Sequence, residues 1–121
     1  MKGNRSPAMS LPHPSADQIS LSNVLAALGD PTRLSIVAEL ARNGDGPVNC
    51  SHFLIFASKT NLSYHLGKLR EAGVTRTEIS GTSRFTTLRR ADLDRRFPDL
   101  LASVIAGAGE PAAGRPDEEK A

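Results

Sequence analysis

Four polar side chains between residues 60 and 68 could bind the edges of nucleic-acid bases and the phosphates beside them. Thr60 and Ser63 carry small hydroxyls, Tyr64 carries an aromatic hydroxyl, and Lys68 carries a positive charge. At 100° per residue these four side chains lie on or beside one face of a helix, and no acidic residue follows until Glu71. We call Thr60, Ser63, Tyr64 and Lys68 the polar face. Hydroxyls and cations on one helix face are typical of a surface that enters a groove of DNA.

The helix that would carry the polar face has clear signals at both ends. Ser58 can accept a hydrogen bond from the exposed N–H groups of the first turn. Leu62, Leu66 and Leu69 recur at i, i+4 and i+7, which predicts one buried stripe. Gly73 supplies a residue that tolerates the left-handed conformation common after a helix. The pattern therefore predicts a helix between Ser58 and Gly73 whose buried side lies opposite the polar face.

Further candidates for DNA contact flank the polar face. We expect Lys59, at the helix start, to bind a phosphate, and Arg84, on a following hairpin, to contact the minor groove or a phosphate. Gly67 would allow the backbone to come close to DNA. Asn61 and His65 lie at the edge of the buried stripe, and either a DNA contact or a packed, hydrogen-bonded position explains them.

Composition supports a nucleic-acid partner and excludes several other classes of protein. The chain has 121 residues and a formal charge of +2, but residues 59–96 hold nine Lys or Arg against four acids. Cys50 is the single cysteine, so no internal disulfide forms and no site of several cysteines can bind zinc. No signal peptide or membrane span is recognisable, which predicts a cytoplasmic protein. No phosphate-binding loop or catalytic motif appears, so we do not expect an enzyme or a cofactor.

The chain divides into one predicted domain and two tails. Residues 1–18 are rich in Pro, Ser and Gly and show no hydrophobic period, and residues 107–121 lack large apolar side chains. Both stretches are therefore predicted to be disordered. Residues 19–106 form the expected folded unit.

Within the folded unit the pattern predicts a mainly α fold with a small β-hairpin. We expect helices over 21–28, 31–42, 50–56 and 58–73, strands over 74–79 and 83–88, and a last helix from residue 91. Asp30 and Pro31 are good residues for a helix start, whereas Pro98 should bend or split the last helix. Two helices joined by about three residues form a helix-turn-helix, and the hairpin after them forms a wing.

Two stretches resemble the ArsR/SmtB family of bacterial transcriptional repressors. Residues 26–34, AALGDPTRL, are similar to the opening signature of that family, and residues 58–74, SKTNLSYHLGKLREAGV, are similar to its recognition helix. The resemblance implies a winged helix-turn-helix that dimerises through its first and last helices. It also implies a homodimeric repressor that binds an inverted repeat in double-stranded DNA and is released by an effector. On this resemblance Thr60, Ser63 and Tyr64 match positions that contact bases or nearby phosphates, and His65 matches a common histidine.

The effector is not visible in the sequence. Metal sensors of this family use a Cys-x-Cys pair before the recognition helix or Asp and His on the last helix. Here Cys50 and His52 do not form that pair, and no histidine follows His65. We therefore expect no metal site, although a site shared between subunits at Cys50 and His52 stays open, as does an unknown small molecule. The competing interpretation is a winged-helix protein-interaction module without a specific DNA target.

Overall fold

The computed structural model describes residues 9–108, which form five α-helices, two 3₁₀ helices and four short strands. The α-helices are α1 (Leu21–Leu28), α2 (Pro31–Arg42), α3 (Lys59–Ala72), α4 (Arg90–Arg96) and α5 (Leu100–Ala108). The 3₁₀ helices cover Ala16–Gln18 and Cys50–Ile55. The strands are β1 (Met9–Ser10), β2 (Val48–Asn49), β3 (Thr75–Ser80) and β4 (Ser83–Leu88).

The predicted helix boundaries are confirmed where a side chain caps the helix. The Asp30 carboxylate accepts a hydrogen bond from the Arg33 N–H at 3.0 Å, and this bond lowers the pKa of Asp30. Ser58 Oγ accepts from the Asn61 N–H at 3.3 Å. Gly73 ends α3 with φ 86°, a conformation that a side chain would strain. These local signals depend on neighbours in sequence, which is why they could be recognised there.

The sheet is antiparallel, with strand order β1-β3-β4-β2. The hairpin of β3 and β4 pairs Thr75 with Leu88 at its base and Ser80 with Ser83 at its tip, so its turn is shorter than the predicted three residues. Gly81 lies in this turn with φ 63°. The hairpin follows the helix-turn-helix directly and forms the wing of a winged helix-turn-helix.

The core lies between α2, α3 and the base of the wing. The predicted stripe is buried, with Leu69 fully inaccessible and Leu62 and Leu66 nearly so. Phe53, on the second 3₁₀ helix, is also completely buried in this cluster. The sequence predicts a short helix over residues 50–56, and the segment adopts a 3₁₀ helix instead. Residues 56–58 separate this helix from α3.

Pro98 splits the last helix, as predicted. The helix α4 ends at Arg96, α5 begins at Leu100, and Asp99 between them has φ 69°. The two parts both contribute to the core, through Leu93 and Leu101.

Residues 9–18, which the sequence predicts to be part of a disordered tail, form hydrogen bonds with the folded unit. Strand β1 extends the sheet by pairing with β3, and the Thr77 N–H donates to His13 Nε2 at 2.9 Å. Arg89 Nη1 donates to the Pro14 carbonyl at 2.8 Å. We call residues 9–19 the N-terminal strap. Its hydrogen bonds join residues more than 60 positions apart, so local composition could not reveal them.

Most of the remaining residues of the two predicted tails lie outside the described residues. Residues 1–8 are not described, and of the predicted tail over 107–121 only residues 107 and 108 are, at the end of α5. None of the helices within residues 9–108 is long and apolar enough to cross a membrane.

Candidate nucleic-acid interface

The polar face is exposed on α3, opposite the buried leucine stripe. Thr60, Ser63 and Lys68 are exposed, and the Tyr64 side chain is 58% exposed. Lys68 Nζ lies 5.5 Å from the centroid of the Tyr64 ring, within the range of a cation–π contact. A tyrosine this exposed leaves both its ring and its hydroxyl available to a partner. The structure therefore brings the four residues of the polar face together on one accessible surface.

Gly67 lies in α3 one residue before Lys68, and the fold itself does not require a glycine there. A Cβ on Gly67 would have no heavy atom within 4 Å apart from those of its chain neighbours and its own helix backbone. Glycine within a helix costs about 0.5–1 kcal/mol relative to alanine. Because Gly67 has no side chain, α3 leaves a shallow depression beside the polar face. A close approach of the DNA backbone to α3 would need such a space.

The wing and the start of α3 share a groove. Lys59, Ser63 and Arg84 all line it, although Arg84 lies 21 residues or more from the other two in sequence. Lys59 and Arg84 are both exposed. The structure thus places the two predicted phosphate-binding cations on either side of one depression beside the polar face.

Asn61 and His65 occupy different environments. Asn61 is exposed in the first turn of α3, where its N–H completes the Ser58 cap. His65 has a side chain only 15% exposed, and Arg33 Nη1 donates to its Nδ1 at 2.9 Å. Because arginine can only donate, this Nδ1 carries a lone pair and the proton of the neutral ring lies on Nε2.

This contact gives His65 a structural role. Arg33 also donates through Nε to the Ala27 carbonyl at 2.6 Å, so the guanidinium ties the end of α1 to α3. The predicted contact of His65 with DNA therefore depends on Nε2 alone. The sequence prediction named Arg33 as part of a signature and not as the residue that orients the recognition helix.

Cys50 and His52 point to separate partners. Cys50 Sγ lies 3.1 Å from Thr86 Oγ1, and burial raises the pKa of this thiol. His52 Nε2 lies 2.6 Å from a Glu39 carboxylate oxygen, and this hydrogen bond is the main cause of the lowered pKa of Glu39. Among residues 9–108 no group of three or more His, Cys, Asp or Glu side chains could hold a metal ion.

One residue of the groove was absent from the predicted site. Arg70 lines the same depression as Lys59 and Arg84, and its Nε is buried without a hydrogen-bond partner among the described residues. In the sequence, Arg70 directly follows Leu69 of the leucine stripe, and this position gives no indication that its side chain meets the wing.

Comparison with known proteins agrees with this architecture. A family described as "Helix-turn-helix domain" matches residues 28–78, from the end of α1 to β3. The chain is 32% identical over 94 residues to the uncharacterized HTH-type transcriptional regulator YceK of Bacillus subtilis, covering 74% of this chain and 90% of that protein. It is 30% identical over 83 residues to the uncharacterized HTH-type transcriptional regulator MJ1325 of Methanocaldococcus jannaschii, covering 69% of this chain and 89% of that protein. The chain therefore belongs to the HTH-type transcriptional regulators, a family of DNA-binding proteins.

Proposed function

We propose that the protein is a homodimeric transcriptional repressor of the ArsR/SmtB type that recognises an inverted repeat. The observation that carries this proposal is the exposed polar face of α3 beside a basic wing. In this arrangement α3 enters the major groove, where Thr60, Ser63 and Tyr64 meet base edges and adjacent phosphates. Lys59, Lys68 and Arg84 bind the sugar-phosphate backbone and hold the domain in register. Asn61 and Nε2 of His65 complete the proposed set at the edge of the helix.

The assignment to the ArsR/SmtB type is supported by the contacts that the signature over residues 26–34 makes in the structure. Asp30 caps α2, Pro31 occupies its first turn, and Arg33 reaches both Ala27 and His65. The signature residues thus fix the angle between α1, α2 and the recognition helix. If residues 26–34 orient α3, the two stretches that resemble the family, 26–34 and 58–74, are parts of one DNA-binding unit.

Dimerisation through α1 and α5 is supported by apolar side chains that the single chain leaves uncovered. Leu21 and Leu25 on α1 are 45% and 48% exposed. Val104 and Ile105 on α5 are only partly buried against the core. A two-fold dimer on this surface would present two copies of α3 to half-sites about 34 Å apart, one turn of DNA.

The remaining parts of the proposal concern regulation. We propose that the protein acts in the cytoplasm without a cofactor and without enzymatic activity. Binding of a small-molecule effector would release it from DNA.

Binding to DNA from upstream of its own gene tests the proposal. We expect specific binding that survives competitor DNA and weakens steeply with salt, since each phosphate contact releases counterions. The triple variant Thr60→Ala, Ser63→Ala and Tyr64→Ala should abolish specific binding and leave the dimer intact by light scattering. A triple variant that still protects the same bases would show that the polar face is not the DNA-binding surface.

A matched pair of cation variants separates a phosphate contact from a general effect of charge. Lys59→Ala should reduce the slope of log affinity against log salt by about 1. Arg95→Ala, an exposed cation on α4, should leave that slope unchanged because it lies outside α3 and the wing. Equal slopes for the two variants would contradict the proposed role of Lys59. If the wild type shows no sequence preference in a genome-wide DNA selection, the protein-interaction module becomes the better explanation.

A further inference from the structure

A groove of about 630 Å³ separates the recognition helix from the wing. Its walls come from the second 3₁₀ helix, from the length of α3 and from both strands of the hairpin. We call it the wing groove. Its volume lies in the range of sites that bind small molecules, about 300–1,000 Å³.

The charges that line the wing groove have one sign. Lys59, Arg70 and Arg84 contribute three cations, and no aspartate or glutamate lines it. Hydroxyls from Ser63 and Thr77 add neutral hydrogen-bonding groups. Such a lining favours a ligand that carries negative charge.

Arg70 provides the strongest indication of a ligand. Its Nε is buried and has no hydrogen-bond partner among residues 9–108. An N–H group buried in this way normally finds a partner, because leaving it unpaired costs about 1–3 kcal/mol and more for a charged group. Arg70 itself is only partly buried, so a small turn of its guanidinium would bring this Nε to an anion in the wing groove. Arginine binds carboxylates in a two-pronged geometry.

The groove also has an apolar wall. Leu54, Leu62 and Leu66 line it, and Leu54 is 47% exposed. A ligand with an apolar body would cover these side chains. We propose that the wing groove binds an amphiphilic organic carboxylate, with its carboxylate at Arg70 and its apolar body against the leucines.

A DNA phosphate explains the groove less well. Arg70 follows Lys59 by eleven residues, which is about 16 Å along the helix axis, so a phosphate bound at the exposed start of α3 would not reach it. A phosphate also gains nothing from the leucine wall. The wing groove is therefore a site for a ligand that enters it lengthwise.

Occupation of the groove would interfere with DNA binding. Lys59, Ser63 and Arg84 line the wing groove and also belong to the proposed DNA interface, so the body of a ligand in the groove would obstruct the approach of DNA to them. This consequence rests on the proposed function, whereas binding of the carboxylate does not.

The site is tested by adding a carboxylate to the full chain without DNA and recording the amide NMR signals at each concentration. The probes are naphthoate and decanoate, one rigid and one flexible, and the control ligand is the neutral naphthalenemethanol. We expect saturable shifts of the amides of Cys50, Ser63, Arg70 and Thr77 with at least one carboxylate, and much weaker binding of the neutral control. Arg70→Met should weaken the carboxylate by about ten-fold or more. Arg95→Met, a matched cation change outside the groove, should leave affinity unchanged.

Several results would overturn the inference. These are the absence of saturable shifts at millimolar carboxylate, shifts that map away from the groove, or equal binding of the neutral control. If Arg70→Met does not fold, Arg84→Gln on the exposed strand replaces it, and unchanged affinity in that variant would also contradict the site. A second measurement adds the carboxylate to the DNA complex, where displacement of DNA is expected. Because the titration contains no DNA, failure of the proposed function and failure of this site give different results.

Discussion

Replacing Gly67 with alanine should raise stability and lower DNA affinity at the same time. The added Cβ meets no heavy atom outside its own helix and chain neighbours, so the folded protein accommodates it without strain. Alanine also restricts the unfolded chain and favours the helix. The free energy of unfolding should therefore increase by about 0.5–1 kcal/mol.

The effect on DNA has the opposite sign because of where Gly67 lies. The glycine precedes Lys68 on α3, and the missing side chain leaves space beside the polar face for a close backbone approach. A methyl group forced into a packed contact costs about 1–3 kcal/mol, which corresponds to a loss of affinity of about five-fold or more.

Urea denaturation and fluorescence anisotropy with operator DNA measure the two effects separately. Gly107→Ala in α5, where a Cβ also meets open space, is the matched control for stability. Its DNA affinity should equal that of the wild type when measured at protein concentrations at which light scattering shows a dimer. A Gly67→Ala protein that is more stable and binds DNA as tightly as the wild type would refute the argument for a close approach. A Gly67→Ala protein that is less stable than the wild type would refute the argument that a Cβ at this position meets open space.

Three further predictions concern the strap, the dimer surface and the end of α3. Burial lowers the pKa of His13 and nearby arginines add to this effect, so the folded state favours the neutral ring. The contribution of His13 to the free energy of unfolding should therefore be fully present above its ordinary pKa of 6.5 and fall as the pH drops below it. His13→Gln, which keeps an acceptor but does not titrate, should reduce that slope in urea titrations, and an unchanged slope would show that His13 is not its source. The double variant Leu21→Ser with Leu25→Ser should raise the Kd of the dimer by more than about 100-fold in sedimentation. Ile55, on the second 3₁₀ helix, is 70% exposed but lies outside α1, so Ile55→Ser should leave the Kd unchanged. Equal effects of the two changes would exclude α1 as the dimer surface. Gly73→Ala should lower the free energy of unfolding by about 2–5 kcal/mol, since φ is 86° and the new Cβ would lie 2.5 Å from a side-chain carbon of Ile19 in the strap. A decrease of less than about 1 kcal/mol would contradict that geometry.

The parts of the fold that the sequence predicted are those that local chemistry determines. Ser58 and Gly73 mark the ends of α3 because a cap and a left-handed residue act within one turn. Pro98 breaks the last helix for an equally local reason. The leucine stripe then identified the buried side of α3 and, by exclusion, the polar face.

The parts that escaped prediction depend on contacts between distant segments. The strap is fixed by His13 and by Arg89, whose partners lie more than 60 residues away, so the composition of residues 9–18 resembled that of a free tail. The position of Arg70 in the wing groove depends on how the hairpin folds back over α3. The contact between Arg33 and His65 likewise follows from the angle between two helices, which the spacing of residues within either helix does not specify.

The most direct test of the central claim, that the polar face reads base sequence, is a genome-wide DNA selection with single-residue variants. A side chain that contacts a base edge changes which base is preferred, whereas a side chain that contacts a phosphate changes affinity uniformly. We predict that Thr60→Asn and Ser63→Asn each alter the preferred base at defined positions, symmetrically in the two half-sites, and that Lys59→Ala lowers affinity without altering preference. If both asparagine variants select the same sequence as the wild type, α3 does not read DNA through this face.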